Sequence, residues 1–237
     1  KMAGTLSDIG GYSFNYHKHV HTGEGGMLVT DDARLAERMR LIRNHAEAVV
    51  GDIEMNDIAN MLGFNFRLGE IEAAIGLEQL KKLQSAVESR QLSAHKLSAG
   101  LHGLPGLNTP KVSEGCTHAY YMYFMTIDAA ETGVSRDKIY EALVAEGVPS
   151  LGKSFANLHL LPLFQRKIAY GSHGFPWSSD ICRRVVSYEK GICPVAENLH
   201  DETYIGFQMC MHSMGDEEVN AVVGAFRKVW ANLSDLA

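Results

Sequence analysis

The chain has only four cysteines, Cys116, Cys182, Cys193 and Cys210, with no C-x-x-C pair and no spacing that a structural metal site would use. That scarcity excludes a disulfide framework or a zinc module. It predicts reduced cysteines in an apolar core and a cytoplasmic setting. No apolar stretch approaches the roughly 20 residues of a bilayer crossing, and the N-terminus lacks a charged-then-apolar signal layout. An excess of one charge is missing too. Against 28 acidic residues stand 22 basic ones, a net charge of -6, with no basic stripe for nucleic acid and no basic amphipathic helix for a lipid surface. Internal repeats and low-complexity tracts are also absent. What remains is an ordinary globular composition, 46% hydrophobic and 21% charged, in 237 residues that suit one large domain or two small ones.

The chain opens without Met, on "KMAGTLSDIGGYSF", and runs at once into Gly-punctuated, strand-like sequence. Lys1 is therefore not expected to be a natural start. "GGMLVTDD" reads as a short buried strand, because Met27, Leu28 and Val29 are continuous apolar residues between glycines and a polar turn. A helix follows in "DDARLAERMRLIRNHA", capped by Asp31 or Asp32, with Leu35, Met39 and Ile42 at helical spacing and arginines opposite. Residues 46–66 look irregular. The segment after them carries a stripe of Leu68, Ile71, Ala74, Ile75, Leu77, Leu80 and Leu83, and predicts one long helix bent near Gly76. "HGLPGLNTP" beyond it is a boundary signal.

The second part begins with "HAYYMYFMTID", aromatic-rich as strands are. A helix over "SRDKIYEALVAEGV" is expected next, capped by Ser135 and burying Ile139, Leu143 and Val144. "NLHLLPLF" and "YGSHGFPW" read as loop and turn material limited by Pro162 and Pro176. A C-terminal amphipathic helix is predicted to bury Val219, Val222, Val223, Phe226, Val229 and Trp230.

The segment "GYSFNYHKHVHTGEGGML" admits several chemistries. On a strand His17, His19 and His21 would share one side, where imidazoles can bind zinc or nickel, but no Asp, Glu or Cys is placed as a fourth ligand. Gly23 to Gly26 can cradle a phosphate through backbone N–H groups, although a strand rather than a helix follows. A plain turn, with glycines supplying positive φ, serves the tetrapeptide as well. Lys18, among Phe14 and Tyr16, has the apolar setting that a Schiff-base lysine needs. A surface hairpin with solvated side chains is the bland alternative.

"SDIGGYSFNYHKHVHTGEGG" resembles the Schiff-base segment of the DegT/DnrJ/EryC1/StrS sugar aminotransferases. Their pattern runs G-D-I-x-x-x-S-F-x-x-x-K and then G-[ED]-G-G. Ser7 stands where glycine is usual; Asp8, Ile9, Ser13, Phe14, Lys18, Gly23, Glu24, Gly25 and Gly26 fall in register. "IRNHA" is similar to R-N-H-G, and "GFNFRLGEIEAAI" to G-[YF]-N-x-R-[ML]-x-[ED]-x-x-A-A-I. "THAYYMY", "NLHLLPLF" and "CPVAENL" resemble further motifs, so the likeness runs along essentially the whole chain.

The resemblance implies a pyridoxal 5′-phosphate enzyme of the aspartate-aminotransferase fold (fold type I, α/β), here a partial large domain plus a smaller C-terminal α+β domain. Residues 1–66 would be the late part of the large domain, 67–102 a bridging helix and 103–237 the small domain. By the resemblance Lys18 is the Schiff-base and proton-shuttling residue, Ser13 binds the cofactor phosphate, and Asn65 reaches the partner's cofactor across a homodimer. His159 approaches the substrate side, while His17, His19 and His21 shape the pocket or face solvent, with no metal. The implied reaction is transamination of a nucleotide-linked keto-deoxysugar with glutamate as donor. Relatives with histidine at the lysine position are pyridoxamine-dependent sugar 3-dehydratases, a second reading, and a non-catalytic dimerising subunit is a third. The family's front half, which supplies the acidic partner of the pyridine nitrogen, has no counterpart in this sequence. The isolated chain is therefore expected to be an inactive fragment.

Overall fold

Helical and strand periodicities set the elements of the computed structural model, which describes residues 1–47, 61–211 and 214–237. Most of the stretch read as irregular, 46–66, lies outside the described residues. The described chain divides into two compact units, Lys1–Glu88 and Ser89–Ala237.

In the first unit β1 (Gly10–Ser13) pairs antiparallel with β2 (Gly26–Val29), Tyr12 facing Met27 and Ser13 facing Gly26. The expected burial of β2 is not found: Met27 and Leu28 are exposed. A two-stranded sheet has two faces, and among the described residues nothing on either covers Met27 or Leu28 enough to bury it. Helix α1 (Ala33–Arg43) is capped by Asp32, whose side chain accepts from the N–H groups of Arg34 and Leu35 at 2.8 and 3.1 Å. Leu41, not the anticipated Leu35, Met39 and Ile42, is its fully buried residue.

The end of α1 is closed by the N–H of Ala46 donating to the Leu41 carbonyl at 2.8 Å, with His45 (φ 63) and Ala46 (φ 57) both left-handed. Gly63 crosses this corner so closely that a Cβ there would stand 1.9 Å from the His45 carbonyl carbon. Ala46 occupies a conformation that costs an L-residue about 1–2 kcal/mol, and the resembling motif has glycine at this place. Ala46→Gly is expected to stabilise the protein by about 1 kcal/mol, after some loss to unfolded-chain entropy, seen as a higher urea midpoint at unchanged slope.

The long helix is two helices, α2 (Glu70–Leu80) and α3 (Leu83–Leu101). Its break lies at Lys81–Lys82, not Gly76, where the Lys82 N–H donates to Gln79 three residues back and the regular ladder is lost for one step. Gly76 stays inside α2, its missing Cβ admitting the Thr22 methyl. No residue of α2 is buried, and Ile71, Ile75, Leu77 and Leu80 are all exposed. The division between units falls inside α3, whose buried residues Ser93, Ala94, Leu97 and Leu101 all belong to the second unit.

The second unit continues with β3 (Leu107–Asn108), β4 (Met122–Ile127), the short α4 (Ala129–Thr132), α5 (Arg136–Ala145) and β5 (Leu151–Gly152). After these come α6 (Pro162–Arg166), α7 (Pro194–Asn198), β6 (Tyr204–Gln208) and α8 (Asp216–Ala231). The strands form one antiparallel sheet in the order β3-β4-β6-β5. Alternation puts Tyr123, Met125 and Ile127 of β4 in the core beside Ile205 and Phe207 of β6. Leu97 and Leu101 of α3, Ile139 and Leu143 of α5, and Val219, Val222, Phe226, Val229 and Trp230 of α8 complete it. Burial pushes the Tyr123 phenol up to about 12, although its hydrogen bond to Ser98 at 2.8 Å pulls the other way.

Ser135 caps α5 as expected, but Val144 is exposed. The loop reading of "NLHLLPLF" is corrected to a 3₁₀ turn, Leu158–Leu160, followed by α6 with Pro162 in its first turn, where a missing N–H costs nothing. None of the cysteines lies in the apolar core expected for them: Cys116 and Cys193 are exposed, Cys182 and Cys210 half-buried. Among the described residues no helix is long and apolar enough to cross a membrane.

Candidate functional site

Residues 14–25 connect β1 to β2 as a closed loop rather than the strand on which the histidine alternation depended. His17, His19 and His21 therefore do not share a strand face. Among the described residues no group of three or more His, Cys, Asp or Glu is placed to hold a metal ion. The loop's neck is fastened by the backbone: the Phe14 N–H donates to Gly25 at 2.9 Å and the Thr22 N–H to Phe14 at 3.0 Å. Buried Thr22 donates its hydroxyl to the Glu24 carbonyl at 2.7 Å. Gly25, at φ 154, passes so near that a Cβ would stand 2.8 Å from the Thr22 hydroxyl oxygen, so the glycine turn meets a steric as well as a conformational demand.

One step above the neck the Asn15 amide Nδ2 donates to both carboxylate oxygens of Glu24, at 2.7 and 2.8 Å. Asn15 then accepts at its carbonyl from the Lys18 N–H at 3.0 Å, closing the turn that carries the lysine. Lys18 is half-buried. Ser13, at the end of β1, is exposed, its oxygen accepting from the Asn15 N–H at 3.3 Å and its own proton left to donate. An amine and a hydroxyl donor thus share one loop, and the Asn15 Oδ1 is buried there without a hydrogen-bond partner. That donor set fits pyridoxal phosphate: Ser13 for a phosphate oxygen and Lys18 for the aldehyde carbon.

Asn65 sits elsewhere in the same unit, opposite Asn44 in an isolated antiparallel bridge at the end of α1. The Phe64 N–H donates to Ile42 at 2.7 Å, the Phe66 N–H to Arg43 at 2.9 Å, and the Arg67 guanidinium to the Asn44 side chain at 2.6 Å. This clip joins "IRNHA" to "GFNFR" and leaves Asn65 exposed.

His159 belongs to the second unit. Its Nε2 lies 2.8 Å from a carboxylate oxygen of Glu197, a residue of α7 that is 5% exposed and that sequence reasoning did not single out. Glu197 also accepts from the N–H groups of Gly191, at 2.8 and 2.7 Å, and Cys193, at 3.2 Å. Because a carboxylate only accepts, the His159 Nε2–H is the donor of this contact. Burial pushes the Glu197 carboxyl up, but the His159 hydrogen bond and the Cys193 and Gly191 amides outweigh it and hold the group below the ordinary carboxylate range.

A depressed folded-state pKa stabilises the fold above the unfolded value, about 4.3, and that contribution is lost as pH falls through the folded value. Glu197→Gln is expected to remove this component, so the stability difference between the two proteins should shrink as pH drops below about 4.3. Urea titrations across that window check it; a difference independent of pH would contradict it.

Comparison with known proteins follows the same residues. The sequence profile of the family described as "DegT/DnrJ/EryC1/StrS aminotransferase family" matches residues 1–206. The spore coat polysaccharide biosynthesis protein SpsC of Bacillus subtilis is 30% identical over 193 residues, covering 79% of this chain and 50% of that protein. GDP-perosamine synthase of Caulobacter vibrioides is 32% identical over 163 residues, covering 68% of this chain and 42% of that protein. The crystal structure of the aminotransferase TlmJ from Streptoalloteichus hindustanus is 29% identical and superposes with a TM-score of 0.72 over 98% of this chain and 54% of its own. The chain thus spans about half the length of these relatives. The mixed α/β fold matches that of solved sugar aminotransferases, a partial fold type I arrangement. With the profile running from the Lys18 loop through the β4–β6 sheet, the chain belongs to the DegT/DnrJ/EryC1/StrS aminotransferase family.

Proposed function

We propose that the protein containing this chain is a pyridoxal-phosphate-dependent aminotransferase acting on a nucleotide-linked keto-deoxysugar, with glutamate as amino donor. The observation that carries this reading is the closed loop presenting Lys18 five residues beyond the exposed hydroxyl of Ser13. The names of two relatives support the substrate class, one a synthase of a GDP-linked sugar and one a polysaccharide biosynthesis protein.

When bound, pyridoxal phosphate supplies an aldehyde and an electron-withdrawing ring that makes the Cα proton of an amino donor removable. Lys18 would hold the cofactor aldehyde through Nζ and, once exchanged for the amino donor, would carry the donor's Cα proton at Nζ to the former aldehyde carbon. Ser13 would donate its hydroxyl proton to a phosphate oxygen. Asn65, exposed at the α1 corner, would donate to the phosphate held by a partner subunit, which would make the working form a homodimer with shared sites. The uncovered apolar face of α2 supports such association. His159, held by Glu197, would contact the sugar substrate. In this reading residues 1–66 belong to the large domain, 67–102 bridge, and 103–237 form the small domain. A cytoplasmic setting, suggested by the few and unpatterned cysteines of the sequence, belongs to the same reading.

The test is to incubate the protein, expressed from its complete natural reading frame, with nitrogen-15 glutamate and a panel of keto-sugars, nucleotide-linked, free and inositol-like. Mass spectrometry is expected to find the label in an aminated nucleotide sugar. A deoxygenated product without nitrogen, or no product from any member, contradicts the proposal.

A further inference from the structure

The Lys18 loop contains a carboxylate whose contacts go beyond a turn-forming role. Glu24 accepts from Asn15 through both oxygens, 2.7 and 2.8 Å from Nδ2, while its own carbonyl is fixed by the hydroxyl of buried Thr22 at 2.7 Å. Asn15 is also the residue whose carbonyl receives the Lys18 N–H at 3.0 Å. Buried Thr22 thus fixes the Glu24 main chain, the Glu24 and Asn15 side chains join across the loop, and the Asn15 main chain receives the Lys18 N–H, three contacts linked through the covalent frames of Glu24 and Asn15.

Because a carboxylate only accepts, Nδ2 of Asn15 has to face Glu24, and this settles which way the amide lies. The consequence is a buried Oδ1 without a hydrogen-bond partner, a cost that the charge-assisted pair holds in place. Neutralising Glu24 removes the reason for that orientation. The amide is then free to turn its oxygen outward and the turn below Lys18 to relax.

We propose that Glu24 is a positioning residue for Lys18, acting through Asn15 to hold the lysine-bearing turn in the geometry needed for covalent attachment of an aldehyde cofactor. The assignment rests on the covalent reading of Lys18 given above. Glu24 need not touch the cofactor or the reacting atoms. Its charge is used to orient an amide.

The polarity of the pair makes it testable by exchange. With the protein expressed from its complete reading frame, pyridoxal phosphate is added, the product is reduced with borohydride, and the fraction of pyridoxyl-Lys18 is measured by peptide mass spectrometry. Asn15→Asp sets two carboxylates against each other and is expected to lower trapping at Lys18 about tenfold; Glu24→Gln leaves a weaker neutral contact and is expected to lower it about threefold. The double variant N15D/E24Q restores a donor–acceptor pair with its direction reversed. It is expected to recover trapping to within about twofold of the unaltered protein, which a general loss of fold at either site does not allow.

Unchanged trapping in both single variants overturns the proposal, as does a double variant as poor as N15D alone. Absence of any adduct on Lys18 in the unaltered protein instead overturns the covalent reading on which it rests. A second readout separates positioning from substrate binding: E24Q is expected to lower kcat at unchanged KM for the sugar, and the reverse pattern contradicts the assignment.

Discussion

Lys18→Ala is expected to lower kcat for amino transfer by at least about 10³-fold while leaving the fold and the affinity for the sugar substrate unchanged. On the proposed function two roles would be lost together: the amine that exchanges with the amino donor, and the base that moves the Cα proton. Neither His17 nor His19, each adjacent to Lys18 in sequence, can substitute for it, because an imidazole does not make the reversible imine with the cofactor aldehyde. The loop's fastening uses the Lys18 backbone N–H and the side chains of Asn15, Thr22 and Glu24, so truncating the lysine side chain leaves those contacts intact. Steady-state rates with nitrogen-15 glutamate, beside the thermal midpoint of the same preparation, measure both halves of the prediction. A variant that retains more than about a tenth of the rate removes Lys18 from the chemistry.

Arg136→Ala is expected to cost about 3–5 kcal/mol, a fall of roughly 10 °C in thermal midpoint. The Arg136 side chain is 4% exposed at the start of α5, and its guanidinium is spent on backbone carbonyls. Those of Tyr204 and Asp201 lie at 2.7 Å, that of His200 at 3.1 Å, and Lys153 supplies a fourth; Asp137 accepts from Nε at 2.8 Å. Removing the arginine strands several acceptors in a region closed to water, a cost larger than the worth of the bonds themselves. Lysine is expected not to rescue, because an ammonium is a point charge with three donors and cannot span the arc that the planar fork covers. Differential scanning calorimetry decides the matter, and a fall of less than about 2 °C would show that the carbonyls find other partners.

Legibility in the sequence followed the range of the interactions. Aromatic enrichment marked β4 as a strand without saying which of its residues face inward, and 3.6-residue periodicity marked the buried face of α8, a pattern that records one packing partner on one side. The apolar run of β2 was misread as buried, and the apolar stripe of α2 is exposed as well: pattern reports that a face is built to be buried, not what buries it. The histidine alternation failed because it assumed strand geometry where hydrogen bonds close a loop.

Ser13 and Lys18 were named through a resemblance carried by local features, their spacing and the glycine turn. The contacts around them were less legible. Glu24 was visible only as a motif letter, since its bond to Asn15 depends on the loop folding back on itself. The contact between His159 and Glu197 joins residues 38 apart, and nothing in the intervening composition foretells it. Ala46 is a case in the other direction: a departure from the resembling motif became a conformational statement once its φ of 57 was known.

The central claim is that Lys18 is the residue that bonds the cofactor. The protein expressed from its complete reading frame, loaded with pyridoxal phosphate, is reduced with borohydride and digested, and the modified peptide is identified by mass spectrometry. The account predicts one pyridoxyl group per site, on Lys18. Modification spread over Lys1, Lys81, Lys82 and other lysines without preference for Lys18, or a single adduct at any other residue, would contradict it.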